Sequence, residues 1–561
     1  MKVTGAQLIT HLLERQGITT VAGIPGGANL PLYDALYASR IRHVLARHEQ
    51  GAGFIAQGMA RVTGQPAVCL GTSGPGATNL LTAIADAKLD SVPLVAITGQ
   101  VPRAMIGTDA FQEIDTYGLT VPITKHNYLV RSAAELLEVI PDAFRVAASG
   151  RPGPVVIDVP KDVQTESLHI DRLPPPGGAE PPLQPRGADV ARAAALLNAA
   201  RRPLCLVGAG VIMAGASDHV RLLAEKMAMP VAATLLGLGA LPHDHPLFLG
   251  MIGMHAARAT NLLLEECDLL LALGMRFDDR ATGKAAEFCP RARIVHVDID
   301  ASELGKIKHP TLGIEADVAA LLRTLAPQIS TQTRLEWMAH VTALRAAYPL
   351  AMPGADDPCE PYGIIRSVAA LAEAGAVITS DVGQHQMWAA QAFPFTWPRQ
   401  WLTSGGLGTI GFGLPAAIGA ALALPERAVI CFSGDGSLLM NLQELATAAE
   451  ENVNVKVILL NNAHLGLVRQ QQQLFYGGRY HASRFHAEPD FAAIARGFGL
   501  AAYDLGTTAE PGAALADAMR TPGPCVVNVP IAHEENVYPM VPPGAANRDM
   551  IEGAPHAVNA A

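Results

Sequence analysis

Short apolar runs rich in β-branched residues recur along the chain at 66–70, 93–98, 155–159, 204–207, 269–273, 294–297, 428–432 and 455–460. Each is only four to six residues long, and a turn and then a longer amphipathic stretch of helical period follow it. Runs this short read as strands buried on both faces, and their alternation with helices predicts parallel sheets with βα crossovers. Two stretches, 173–186 (LPPPGGAEPPLQPR) and 348–362 (YPLAMPGADDPCEPY), carry too many prolines for a helix or a central strand. They delimit three expected domains, 1–170, 187–345 and 362–545, each of ordinary domain size.

One pattern repeats. Pro152-Gly-Pro-Val-Val-Ile-Asp-Val-Pro160 returns as Pro522-Gly-Pro-Cys-Val-Val-Asn-Val-Pro530, identical at six of nine positions. Either two unrelated segments share a turn–strand solution, or the first and last domains are duplicates. The expected fold is α/β, with three doubly wound parallel-sheet domains.

Composition narrows the class. Hydrophobic residues make up 50% of the 561 and charged residues 16%, which excludes a disordered chain. A net charge of −10 without a dense Lys/Arg tract leaves no footprint for nucleic acid, and no apolar run is long enough to span a membrane. The seven cysteines are scattered without a Cys-x-x-Cys pair, and the eighteen histidines show no zinc spacing. From Met1 the chain moves directly into a helical pattern, so no signal peptide is expected and the location expected is cytoplasmic.

The most specific chemistry follows the run 428–432, at Gly434-Asp435-Gly436-Ser437, where a strand ends and a helix is expected to open through Leu438 to Glu444. Glycines let the backbone approach an anion, and a helix start offers free N–H groups. Asp435 adds a hard oxygen suited to Mg²⁺. After the next strand comes Asn461-Asn462-Ala463-His464, where Asn462 supplies a neutral oxygen and the following chain a carbonyl. Together these features resemble the diphosphate-binding signature of the thiamine diphosphate enzymes. Such enzymes need a glutamate on the aminopyrimidine ring. Arg47-His48-Glu49-Gln50-Gly51 alone reads as a solvated loop, but beside the diphosphate motif it resembles that element, with Glu49 the acid. The glycine-rich loop Gly71 to Asn79, with Pro75 and Asn79, resembles the pyrimidine-side loop.

Longer stretches sharpen the resemblance. Gly23-Ile-Pro-Gly-Gly27, Gly107-Thr-Asp-Ala-Phe-Gln-Glu113, Thr124-Lys-His126, Ser149-Gly-Arg-Pro-Gly-Pro154, Arg276-Phe-Asp-Asp-Arg280, Asp381-Val-Gly-Gln-His-Gln-Met-Trp388 and Val541-Pro-Pro-Gly-Ala-Ala-Asn547 occur in order. Over about residues 4–550 the chain resembles the catalytic large subunits of acetolactate (acetohydroxyacid) synthases. That resemblance implies decarboxylation of pyruvate and ligation of the two-carbon unit to a second 2-oxo acid. Pyruvate as acceptor gives acetolactate and 2-oxobutyrate gives acetohydroxybutyrate, the first common step of branched-chain amino-acid synthesis. It implies Glu49, Gln112, Lys161, Arg276 and Gln471 as catalytic positions, Arg276 holding the acceptor carboxylate. It also places thiamine diphosphate on Glu49, Pro75, Asn79, Val382, Gly383, Gln384, His385, Gly408, Gly434, Asp435, Gly436, Ser437, Asn462, His464, Leu465 and Gly466. Mg²⁺ is expected at Asp435, Asn462 and His464.

The resemblance extends to a structural FAD in the middle domain. Its expected positions are Arg151, Gly208, Gly210, Thr234, Leu235, Met254, His255, Gly274, Arg276, Asp278, Arg280, Asp298, Ile299 and Asp317. Gly208-x-Gly210 is by itself a weak dinucleotide signal. Because Glu49 and Asp435 fall in different domains, and the family bridges them between subunits, a homodimer or tetramer is implied, with a small regulatory subunit as a further partner. Many family members carry Trp where Gln471 stands and Met where Leu467 stands, so weak discrimination for 2-oxobutyrate is expected. A flavin-dependent pyruvate oxidase, which shares the fold and both cofactors, is the alternative.

Overall fold

The computed structural model describes residues 1–553. All eight apolar runs are strands, and three six-stranded sheets, parallel throughout, hold them. In the first sheet the order is Arg42–Leu45, Thr20–Gly23, Ala67–Gly71, Leu94–Gln100, Val155–Pro160, His126–Leu129. The third runs Trp401–Thr403, Val377–Ser380, Val429–Gly434, Val455–Asn461, Cys525–Pro530, Ala501–Asp504. Counted within each sheet, both orders are 2-1-3-4-6-5. The repeated nonapeptide supplies Val155–Pro160 in one and Cys525–Pro530 in the other, the same position in the same topology. This favours duplication over a chance turn–strand match.

The middle sheet has a different order: Phe248–Met251, Val231–Ala233, Pro203–Val207, Leu269–Leu273, Arg293–Asp298, Leu312–Glu315. That is 3-2-1-4-5-6, the dinucleotide-binding order, with its switch point between Pro203–Val207 and Leu269–Leu273. The expected α/β class with three doubly wound domains is what folds. A two-stranded antiparallel ribbon, Lys2–Thr4 with Ser167–His169, ties the chain's start to the end of its first domain. No helix among the described residues is long and apolar enough to cross a membrane.

The first and third sheets share a core. Helix Glu49–Thr63 lies against helix Gly413–Ala423, and Phe54 meets Phe412 edge-on at 5.3 Å. The helix backbones touch: a Cβ added at Gly58 would collide with the Ala416 carbonyl, and one at Gly419 with the Ile55 carbonyl. After Cys525–Pro530 the chain turns back over the middle domain. Val541 N–H donates to Met254 O at 2.9 Å, Asn547 Nδ2 donates to Ala281 O at 3.0 Å, and Arg258 pairs with Glu552 at 2.8 Å.

Because main chain cannot yield as a side chain does, Gly419→Ala should destabilise the protein by about 1–3 kcal/mol, measured as a lower chemical-denaturation midpoint. Gly187→Ala, where a Cβ meets nothing within 4 Å, should leave that midpoint unchanged.

Candidate active site

Asp435 closes the central strand Val429–Gly434 and is 3% exposed. Its Oδ1 accepts the Gly436 N–H at 2.8 Å, whereas its buried Oδ2 has no partner. Burial pushes the Asp435 carboxyl up to about 6, and the N–H groups of Gly436, Ala463 and His464 pull the other way. Asn462, after the neighbouring strand, is therefore beside it. Asn462 Oδ1 accepts the His464 N–H at 3.1 Å, and its Nδ2 donates to Gln384 Oε1 at 3.2 Å.

Around these groups the glycines have geometric reasons. Gly383 and Gly434 flank the His385 ring, each leaving less than 3 Å for a Cβ, while Gly466 lies against Gln384 and Gly436 against Leu465. His385 is buried, its Nε2 has no partner, and burial holds its pKa down to about 3. Ser437 Oγ donates to Val382 O at 2.9 Å, linking this cradle to the residue after Asp381. The expected long helix is absent. Asp435–Leu438 is a single turn, its bonds tighten from Leu439 N–H→Asp435 O to Met440 N–H→Ser437 O, and a new helix starts at Glu444. Buried Asn441 ends it by spending its amide on Gly411 O (2.7 Å) and Gln50 Oε1 (3.2 Å).

A cavity of about 760 Å³ lies beyond Val382, within the size range of cofactor sites. Residues at or just after the strand ends of the middle sheet (Gly210, Thr234, Leu235, Gly274, Arg276, Asp298, Ile299) and residues of the third domain (Val382, Gly408, Leu467, Gln471) line it together. Arg151, Met254, His255, Asp278, Arg280 and Asp317 complete the FAD-type set on its wall. Gly208 is not on the wall. Its Cα packs on Gly274, and Gly210 and Gly274 exclude a Cβ from each other, so these glycines first serve two crossing loops at the switch point. Arg151 is paired with Asp300 (3.1 Å) and Glu303 (2.8 Å), and Asp278 and Asp317 cap helices. Arg276, half-buried, pairs with no carboxylate among the described residues.

Glu49 lies elsewhere. It opens its helix after His48, is 8% exposed, and accepts from Asn79 Nδ2 at 2.9 Å through Oε2. Gln112, at φ +60°, backs onto Gly74 of the glycine-rich loop that also carries Asn79, where Pro75 is exposed. Glu113 braces its loop by accepting the N–H groups of Gly107, Thr108 (3.2 Å) and Ala110 (3.0 Å). Half-buried Lys161 starts the helix Lys161–Thr165. None of Glu49, Asn79, Gln112 and Lys161 lines the cavity that holds Arg276 and Gln471.

Sequence reasoning missed the carboxylates that hold main chain. Fully buried Glu444 Oε1 accepts the N–H groups of Arg47 and His48, both at 3.0 Å, fixing the Glu49 turn from another domain. Asp381 does the same for Val382 and Gly411. Only Asp381 carried a signal, as the acid at the end of an apolar run.

Over this geometry the chain matches the thiamine pyrophosphate enzyme family in all three parts: the N-terminal TPP binding domain over residues 3–119, the central domain over 190–325 and the C-terminal TPP binding domain over 381–529. It is 59% identical to the acetolactate synthase isozyme 1 large subunit of Escherichia coli, covering 98% of both chains. To the E. coli isozyme 2 large subunit it is 46% identical over 98% of this chain and 100% of that one. It is also 46% identical to the acetolactate synthase large subunit of Parasynechococcus marenigrum, over 98% and 91%. The chain belongs to the acetolactate synthase large-subunit family.

In this acetolactate synthase family member the returning strap is pinned by a neutral histidine. His255 Nδ1–H donates to Pro539 O at 2.9 Å, and burial lowers its pKa to about 4. The unfolded chain, titrating near 6.5, binds the proton first, so the stability His255 contributes is full above about pH 6.5 and is lost as pH falls toward 4. His255→Asn keeps a donor where Nδ1 stands. It should reduce the loss of unfolding free energy between pH 7.5 and 4.5 by about 1–3 kcal/mol, measured by denaturant titration.

Proposed function

We propose that the protein decarboxylates pyruvate and ligates the two-carbon unit to a second 2-oxo acid, giving 2-acetolactate or 2-aceto-2-hydroxybutyrate for branched-chain amino-acid biosynthesis. Thiamine diphosphate, Mg²⁺ and FAD are its cofactors. The observation that carries the reading is the pair of buried polar atoms without partners, Asp435 Oδ2 and His385 Nε2, at the end of the central strand. A cation on the first and an anion beside the second complete both, which a magnesium diphosphate does. Asn462 and the main chain at His464 fit the same cation as oxygen donors. The middle sheet's order and the cavity at its switch point fit FAD in a structural role, since the ligation involves no net redox change.

Thiamine diphosphate, when bound, supplies the carbanion that attacks a ketone carbon. The chain supplies the surroundings. Glu49, whose Oε1 is left free of Asn79, would hold and return a proton at the aminopyrimidine nitrogen. Val382, which lies beside Gly408, would support the bound cofactor. Arg276 would pair with the acceptor's carboxylate through its planar fork, and the cavity wall with Gln471 and Leu467 would keep water from the reacting carbon. Gln112 and Lys161 line the approach from the first domain.

Because Glu49 and Gln112 lie apart from the cavity of Arg276, the working form is a homodimer or tetramer in which one chain's first domain serves its partner's cavity. A small regulatory subunit is the further partner, in keeping with the large-subunit names of the relatives.

Purified protein given pyruvate with thiamine diphosphate, Mg²⁺ and FAD should form acetolactate, and Glu49→Ala should abolish it. Pyruvate consumption that requires an added electron acceptor, without acetolactate, would move the reading to a flavin-dependent oxidase. With pyruvate and 2-oxobutyrate equimolar, the wild type should favour acetolactate. Gln471→Trp, which restores an apolar face for one extra methyl, should raise the acetohydroxybutyrate share about tenfold, equivalent to about 1.4 kcal/mol.

A further inference from the structure

At the cavity wall, where Asp90 is one of the lining residues, a buried ion cluster joins the first and third domains. Helix Pro75–Leu89 begins at the pyrimidine-side loop and ends beside Asp90, one turn beyond Asp86. Both carboxylates are fully buried. Arg61, from the last turn of Glu49–Thr63, reaches the two together, with Nη2 3.2 Å from Asp86 Oδ2 and 2.9 Å from Asp90 Oδ2. One guanidinium against two carboxylates leaves buried negative charge that hydrogen bonds must absorb.

Those bonds come from the loop after Trp401–Thr403. Asp90 Oδ2 accepts the Gly405 N–H at 3.0 Å, and Asp90 Oδ1 accepts the Gly406 N–H at 2.7 Å. Asp86 Oδ1 takes the hydroxyls of Ser404 and Thr409, the latter at 3.2 Å. Further along, Asp381 accepts from Gly411 (2.8 Å) and Gly413 (3.2 Å). A glycine-rich loop commonly turns its N–H groups toward a phosphate. Here four of them are spent on the protein's own carboxylates, so the loop serves as a wall. Ser404, Gly405 and Gly408 line the cavity. A Cβ on Gly406 would stand 3.1 Å from Arg276 Nη2, and one on Gly408 4.0 Å from Val382 Cγ1.

We propose that Asp90 is a positioning residue for the ligation. With Arg61 and Asp86 it fixes loop 404–409 between Val382 and Arg276, setting the spacing between the cofactor's wall and the group that holds the acceptor. The kinetic arm of the test rests on the acetolactate reading; the exchange arm does not.

Both Asp90 oxygens accept main-chain N–H groups, so Asp90→Asn sets an N–H against an N–H whichever way the amide turns. Gly406→Ala reaches the same loop from its other side, since the new Cβ would lie 2.9 Å from Asp90 Oδ1 without a positive φ to strain it. In both variants hydrogen exchange of segment 401–412 should speed up about tenfold or more. The kcat for acetolactate, per folded site, should fall at least tenfold and by more than the affinity for thiamine diphosphate, whose Asp435 cradle is untouched. A purely structural role would lower thermal stability and leave kcat per folded site within twofold of wild type, and that overturns the proposal. So does exchange of 401–412 at the wild-type rate in a folded variant. If the wild type makes no acetolactate, the functional reading fails, and the exchange result still decides whether Asp90 holds the loop.

Discussion

Two helices in backbone contact, Glu49–Thr63 and Gly413–Ala423, decide where the chemistry of this chain is placed. Gly58 and Gly419 allow the approach, and the shared core of the first and third sheets grows around it. Glu49 stands at the first turn of one helix, and the Gly411 loop feeds the start of the other. With the helices locked, Glu49 stays off the wall of the cavity that holds Arg276 and Gln471 in its own chain. That separation is what the second subunit of the proposed function would bridge.

Buried carboxylates do the finer placing, and they do it in one way. Glu444 holds Arg47 and His48, Asp381 holds Val382 and Gly411, and Asp90 holds Gly405 and Gly406, always by accepting main-chain N–H groups. Burying an anion is costly, and convergent N–H donors are among the few arrangements that offset it without a metal. Two of the three cross between the first and third domains. The active-site loops are thus fixed to the neighbouring domain as firmly as to their own sheet, which suits a site that must keep water from a carbanion.

The strand runs and both proline-rich breaks were legible because burial on two faces and missing N–H groups are local properties of sequence. The repeat at Pro152 and Pro522 hinted at duplication, and only sheet order turned the hint into a shared topology. The cradle of Asp435, Asn462 and His385 was legible as a motif. The length of its helix was not, because Asn441 ends it through contacts with Gly411 and Gln50, both distant in sequence. Asp86, Asp90 and Glu444 were invisible for the same reason: an acid on an amphipathic helix reads as solvated until its partners, here loops more than three hundred residues away, are brought to it.

The middle domain shows that a weak motif can have a packing reason of its own. Gly208-x-Gly210 suggested close approach to a pyrophosphate, yet Gly208 is buried against Gly274, and Gly210 and Gly274 exclude side chains from each other. Packing alone requires these three glycines, so their presence does not establish a dinucleotide. What favours one is the cavity that this crossing opens at the switch point, with Asp298 at the strand end and Arg276 reaching from the same turn toward Gly406. Arg276 belongs to that turn and also faces the third domain's wall. In the proposed function a flavin on the middle-domain side of this cavity would lie against that turn, and its part would be packing that keeps the acceptor's guanidinium in place, with no electron exchanged.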